Sequence, residues 1–426
     1  MNRKFCGIRL AAIVVCGLIF SLAAACATPD GGKNDEDDEE QKLLTVEEIM
    51  SQYSAASLKC DKYSLTKYTK PYWASQIIYN ETVCFYEDDG AVADKKLMYK
   101  PAKILEVRSY DLKTLYAEGT DYEMTEEGLR YIEGSAIPTT NFDYYYLDAP
   151  LDANAAFRSE KYPEKYVAYE EFARFPSKTV CVTYIRTEEW SGPEQPYSEK
   201  LSVLEQKLEK KENVTLLFYG DSIMEGCNAS GFRNIEPKMP RLSDLVTKKL
   251  SSFYGYNGDT EITAHNTAVG GWLSSTGVER WKKQNDGIVP DLLVLHFGCN
   301  DGTFSVSPES VTANLRNMIN KALALNPDCA IIVFSSTVPN TDAYTSETEA
   351  VVRKFYNNQD VYEDYFCDLV NEFDHAFCVK VTTFQKWLME RKDFIDISAS
   401  NISHPNDFIA RYLAQSILSA IIKNYN

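Results

Sequence analysis

The chain has 426 residues, with 62 acidic against 44 basic side chains and a formal net charge of −18. Its 44% hydrophobic and 25% charged residues supply cores for about two or three domains and exclude global disorder. The acidic excess argues against a nucleic-acid partner, because neutralising phosphates needs clustered lysines and arginines.

At the N-terminus Arg3, Lys4 and Arg9 precede an apolar run from Leu10 to Ala25, and Cys26 follows at once. A charged segment, an apolar segment and small residues before a cut describe an export signal over residues 1–25. Leu22-Ala23-Ala24-Ala25-Cys26 resembles a bacterial lipobox, with Ala23 standing where leucine is more usual. That resemblance implies that Cys26 is lipidated and becomes the mature N-terminus, so the body lies outside the cytoplasm as a lipoprotein held to the membrane by its lipid alone. Residues 26–44, with the acidic run Asp35 to Glu40, read as a solvated tether. The run lacks the glycine and spacing of a calcium loop. After processing, 41 basic and 62 acidic side chains leave a net charge of −21. No later stretch is long and apolar enough to span a bilayer.

Eight cysteines follow Cys26, an even number that permits disulfides in an exported protein. Cys367 with Cys378 would close a short loop and Cys84 with Cys181 could join two strands, but connectivity stays open. No Cys-x-x-Cys occurs, and none of the four histidines is spaced as a helical metal ligand, so a metal site is not expected.

Residues 45–200 read as β-rich. A short helix starts at Thr45, with Glu48 at the capping-box position. Strand-like segments follow at Ser75–Phe85, Lys103–Arg108 and Thr179–Thr187, broken by turns at Asp88-Asp89-Gly90 and Glu126-Glu127-Gly128. Nineteen of the 28 tyrosines lie here, which suits strands better than helices. Short, regularly spaced strands suggest a sandwich. Ser191-Gly192-Pro193-Glu194-Gln195-Pro196 marks a junction, and a charged helix, Leu201 to Lys211, follows. From there residues 201–426 alternate buried strands (Leu216–Tyr219, Ile262–Thr267, Leu292–Phe297, Ala330–Ser335) with helices near Leu242–Phe253, Pro308–Leu325 and Thr345–Asn357. A last helix, Asn406 to about Tyr425, places Ile409, Leu413, Ile417 and Ile421 on one face. Such alternation predicts an α/β fold whose ligands bind at the C-terminal ends of the strands.

Four loops at those ends carry reactive groups. Gly220-Asp221-Ser222 presents a serine hydroxyl at a strand-to-helix turn. Asn266 to Gly271 ends in glycines that let backbone N–H approach a reacting oxygen. Asn300, in Gly298-Cys299-Asn300-Asp301, offers an amide, and Pro405 holds His404 on an extended loop before Asn406 caps the last helix. Each of these alone has an ordinary reading as a turn or a cap.

Serine, glycine, asparagine and histidine in this order, each after its own strand, resemble the SGNH (GDSL-type) hydrolase family over about Val214 to Asn426. The resemblance implies a flavodoxin-like parallel sheet and cofactor-free ester hydrolysis. Carried over position by position, Ser222 is the nucleophile and His404 the general base. The Ser222 N–H, Gly271 N–H and Asn300 side chain form the oxyanion hole. Trp272, beside Gly271, walls the pocket or stacks on a sugar.

One position departs from the family. The aspartate usual three residues before the histidine is Asn401 here. Either another carboxylate such as Asp396 or Asp407 replaces it, or the site is a Ser–His dyad oriented by Asn401 or a backbone carbonyl, or catalysis has weakened; the existence of dyads among the family's carbohydrate esterases favours the second. A β-domain ahead of the hydrolase resembles the two-domain carbohydrate esterases, which pair a jelly-roll with an SGNH domain and act on acylated polysaccharides. That implies polysaccharide deacetylation. A lipase or thioesterase, acting on acylated small molecules, and a surface glycan-binding lipoprotein on a weakened scaffold are the alternatives.

Overall fold

Runs of aliphatic residues with no alternation of polarity form strands buried on both faces; three such strands, flanked by two less buried edge strands, make the five-stranded parallel sheet of the C-terminal half. In the computed structural model, which describes residues 43–153, 155–345 and 353–426, these are β4 (Val214–Gly220), β5 (Ile262–Asn266), β6 (Leu292–His296), β7 (Ala330–Phe334) and β8 (Ala376–Val379). Their order across the sheet is β5-β4-β6-β7-β8, with every neighbouring pair parallel. β8 has too short a run to announce itself in the sequence. The export signal, Cys26 and all but the last two tether residues lie outside the described residues.

Strand side chains alternate between the two faces. Leu217, Tyr219, Leu293, Leu295, Ile331 and Val333 share a core with α4 (Ser274–Gln284), α5 (Pro308–Leu323) and α6 (Tyr362–Val370). Leu216, Phe218, Val294 and Ile332 point the other way, onto α3 (Leu242–Tyr254), α7 (Val381–Met389) and α8 (Asp407–Ile421).

The periodicity of the last helix marks one apolar face, but every residue of α8 from Phe408 to Ile421 is buried. Its second face meets the N-terminal half. There Arg411, fully buried, donates to the Tyr79 carbonyl at 2.6 Å and stacks on Tyr68, and Tyr72 donates its hydroxyl to the Phe408 carbonyl.

The N-terminal half is antiparallel. The capping box of α1 (Val46–Gln52) forms as expected, with Thr45 and Glu48 exchanging hydrogen bonds. Strands β1 (Ile77–Asp88), β2 (Pro101–Ser109) and β3 (Thr179–Arg186) form the centre of a six-stranded sheet, β3 lying between the other two. A three-stranded and a four-stranded sheet complete it. The four-stranded sheet borrows Ala343–Tyr344 from the C-terminal half, paired with Phe157–Ser159.

The helix expected at Thr345–Asn357 falls mostly outside the described residues, and its described part, Thr345 and residues 353–357, is not helical. Residues 346–352 lie outside the described residues; the Thr345 N–H donates to the Arg353 carbonyl at 2.8 Å, and the Arg353 N–H donates to the Thr345 hydroxyl at 2.9 Å.

One hydrophobic core runs from Val83, Val107 and Tyr184 through Phe218 to Leu413, and residues 43–426 form one compact unit. At the junction between the halves, Gln195 donates to the Tyr412 hydroxyl at 2.7 Å. Ion pairs also cross between them. Lys392 and Glu81, both with fully buried side chains, meet at 2.7 Å, and Lys95 lies 3.0 Å from the buried Asp396.

All four cysteines of the two expected pairs are free in the structure. Cys367 on α6 and Cys378 on β8 bring their sulfurs to 2.9 Å. Cys84 and Cys181 are offset by two residues in the β1–β3 register, and Cys84 turns instead to Thr140 and Tyr145, so the cross-strand pair does not form.

Candidate active site

β4 ends in a turn that only glycine fits. A Cβ at Gly220 would lie 2.2 Å from the His296 carbonyl oxygen. Asp221 then caps the single helical turn Ser222–Glu225, its Oδ1 accepting the Ile223 N–H at 3.0 Å and lying 2.9 Å from Nδ1 of the buried His296. The aspartate of Gly-Asp-Ser thus fixes the turn, and the serine beside it is left at the C-terminal end of the sheet.

His404 arrives from the opposite side on the loop after Asp393. This loop is tied to β1. Thr82 donates to the Asp396 carbonyl at 2.6 Å, Asp396 accepts the Cys84 N–H at 2.7 Å, and Asn406 donates to the Thr82 hydroxyl at 2.9 Å. The outcome is direct contact: His404 Nε2 lies 2.9 Å from Ser222 Oγ. Burial pushes the imidazole below its ordinary pKa, and the nearby Glu171 and Asp221 charges pull against that shift.

Three donors face the reacting side. Among the described residues, neither the Ser222 N–H nor the Gly271 N–H has a hydrogen-bond partner. The Gly270 N–H, by contrast, is taken by Glu225 Oε2 at 2.7 Å, so Gly271 is the better oxyanion donor of the two. Gly271 sits at φ +78°, backbone that favours glycine. Asn300 spends one amide hydrogen on the Trp272 carbonyl at 3.1 Å and keeps the other. The Trp272 ring is half-buried against Tyr219, 6.2 Å between centroids.

The structure corrects the assignment of Asn401. At φ +65° its side chain turns away from His404 and donates to the Ala168 carbonyl at 3.0 Å. Asp396 is engaged with Lys95 and β1. Asp407, which burial pushes up to about 6, accepts from Ser230. Neither carboxylate reaches the imidazole. His404 Nδ1 instead meets Asn228 Oδ1 at 2.9 Å and Glu171 Oε1 at 3.3 Å. Asn228 lies within the Gly220–Gly231 segment, on a left-handed backbone at φ +70° that asparagine tolerates. Glu171 comes from the loop between Tyr166–Val167 and β3, and no spacing in the sequence could have joined it to the histidine.

Residues 218–407 match the GDSL-like lipase/acylhydrolase family. The chain carries a GDSL-like lipase/acylhydrolase domain. The likeness read from its four loops is borne out over these residues.

No curated protein matches the chain. Among solved structures it is similar to a two-domain esterase (CEX) active on acetylated mannans, co-crystallized with mannopentaose, at 15% identity and a TM-score of 0.39. That alignment covers 55% of this chain and 57% of the other, so the chain spans little more than half of that relative. It is also similar to Axe2, an acetylxylan esterase from Geobacillus stearothermophilus, at 18% identity, 50% and 96% coverage and a TM-score of 0.39. A third is LAE5, an alpha/beta hydrolase enzyme from the metagenome of Lake Arreo, Spain, at 18% identity, 49% and 95% coverage and a TM-score of 0.38. Overlays this loose constrain neither substrate nor mechanism.

Proposed function

We propose that the protein is a serine esterase acting outside the cytoplasm, where it removes short acyl groups, acetyl first, from a polysaccharide. The contact between Ser222 Oγ and His404 Nε2 carries this reading. His404 takes the serine proton as the hydroxyl attacks the ester carbonyl. The Ser222 and Gly271 N–H groups and the Asn300 amide hold the developing oxyanion. The alcohol leaves with the proton, and water then releases the acyl group through the same base.

The walls of the site favour a carbohydrate ester over a lipid. Glu225, Glu171, Arg233 and Asn228 surround the serine and histidine, and a long alkyl chain laid over them would strip charged groups of water at a cost of several kcal/mol. A short acyl group on a hydroxylated polymer leaves them hydrated. The exposed rings of Phe172 and Phe232, flanking Arg233 at 5.6 and 5.5 Å, offer flat faces to sugar rings.

The test is acetate release from acetylated xylan and from a chromogenic acetate. Wild type no faster than Ser222→Ala would sink the enzyme reading in favour of glycan binding alone, and a preference for long-chain esters would favour a lipase. Because a neutral imidazole is the active form and burial lowers its pKa, the acid limb of kcat/KM is expected below pH 6.5, with activity rising through it to a plateau.

The extracytoplasmic location rests on Arg3, Lys4, Arg9 and the apolar run ending at Cys26. Metabolic palmitate labelling that disappears in Cys26→Ala is the expected result; equal labelling of both would remove the anchor from the proposal.

A further inference from the structure

We propose that Glu171, supplied by the antiparallel half, is the positioning carboxylate of His404 and stands in for the aspartate that position 401 lacks. The inference rests on the serine-esterase reading. Two acceptors surround His404 Nδ1, and they differ in what they can enforce. An amide can present either its oxygen or its NH₂, and Asn228 Nδ2 is buried without a partner, so Asn228 alone is compatible with either ring tautomer. An ionised carboxylate can only accept. With Glu171 Oε1 3.3 Å away, the proton belongs on Nδ1, and the Nε2 lone pair faces Ser222 Oγ, as a general base requires.

The carboxylate is itself held from both halves. The Tyr169 hydroxyl donates to Oε1, and Arg233 of the hydrolase domain donates to Oε2. Asn401 has a new task in this arrangement. Its amide grips the Ala168 carbonyl, at the start of the same loop that carries Glu171. The residue that replaces the usual aspartate therefore anchors the segment that brings a different carboxylate to the imidazole.

When the Ser222 proton moves to Nε2, the Nδ1 proton stays on the ring, and the Glu171 carboxylate beside it stabilises the imidazolium. Asp221 and Glu225 add negative charge nearby, and Arg233 opposes it.

The experiment compares wild type, Glu171→Gln and Glu171→Asp in the full chain, with a chromogenic acetate as substrate. Glu171→Gln keeps the shape and removes the charge. Its kcat is expected to fall by about 10²- to 10⁴-fold, the upper figure being the loss for the equivalent exchange in a serine-protease triad, with KM little changed. Removing a negative neighbour lowers the imidazole pKa, so the acid limb of kcat/KM should move to lower pH. Glu171→Asp, which keeps the charge, should recover part of kcat and return the limb toward wild type.

NMR titration of His404 in wild type and Glu171→Gln reads the same shift without turnover. An unmoved imidazole titration together with kcat within about threefold of wild type would overturn the assignment. If wild type proves no faster than Ser222→Ala, the esterase reading fails, while the titration still decides whether Glu171 governs His404.

Discussion

Replacing Ser222 with alanine is expected to lower kcat for acetate-ester hydrolysis by roughly 10⁶-fold, the size of loss when a Ser–His unit is deprived of its nucleophile. The side chain forms the acyl bond itself, and it is the hydroxyl that His404 Nε2 contacts, at 2.9 Å. What survives is the rate supported by the oxyanion donors and substrate binding alone. His404→Ala should cost nearly as much. The double variant should be scarcely worse than either single one, because the two groups act as a unit. Initial rates on a chromogenic acetate, with folded protein quantified by absorbance and circular dichroism, measure all three. Losses that simply multiply would mean that the two residues act independently and that the contact between them is incidental.

The second large effect lies away from the chemistry. Lys392→Met is expected to destabilise the protein by about 3–5 kcal/mol, because it leaves the Glu81 carboxylate buried and uncompensated. Glu81 would keep the Met98 N–H at 2.7 Å and the Tyr184 hydroxyl at 2.8 Å, which cannot replace a cation in a site closed to water. Against a total stability of about 5–15 kcal/mol this is a large share. Pairing Lys392→Met with Glu81→Gln should recover much of the loss, since a neutral amide no longer needs the charge. Urea unfolding midpoints of the two singles and the double variant check this. Additive losses would show that the two side chains do not act as a pair. The pair joins β1 to the segment leading into the His404 loop, so the single variant should also lose activity at temperatures where wild type keeps it.

Much of the hydrolase half can be read from its residues, because a doubly covered parallel sheet requires long aliphatic runs and its reactive loops must follow the strands in order. Leu216, Leu292 and Ala330 mark strands for that reason, and Ser222 and His404 are found by the loops they occupy. The rest depends on contacts between distant segments. Asn401 misleads because a left-handed backbone turns its amide toward Ala168. Asn228 lay inside the segment that carries the family likeness, yet its role needs the fold to bring it beneath His404. The full burial of α8 is invisible in its own pattern, since the N-terminal half covers the side that a lone hydrolase domain would expose to water. At Thr345–Asn357, the described ends bond to each other, and Ala343–Tyr344 beside them adds a strand to the other half.

The hydrogen bond from Asn401 to Ala168 also constrains what position 401 can hold. An aspartate at 401 on the present backbone would set an anionic oxygen against the Ala168 carbonyl oxygen, and the loop would let go before any new carboxylate faced the imidazole. Reversion to the family's usual residue would thus pass through a form in which neither acid is in place. With Glu171 supporting the histidine, a single substitution at 401 would not give the hydrolase half a carboxylate of its own, so the chemistry of one half depends on the loop of the other.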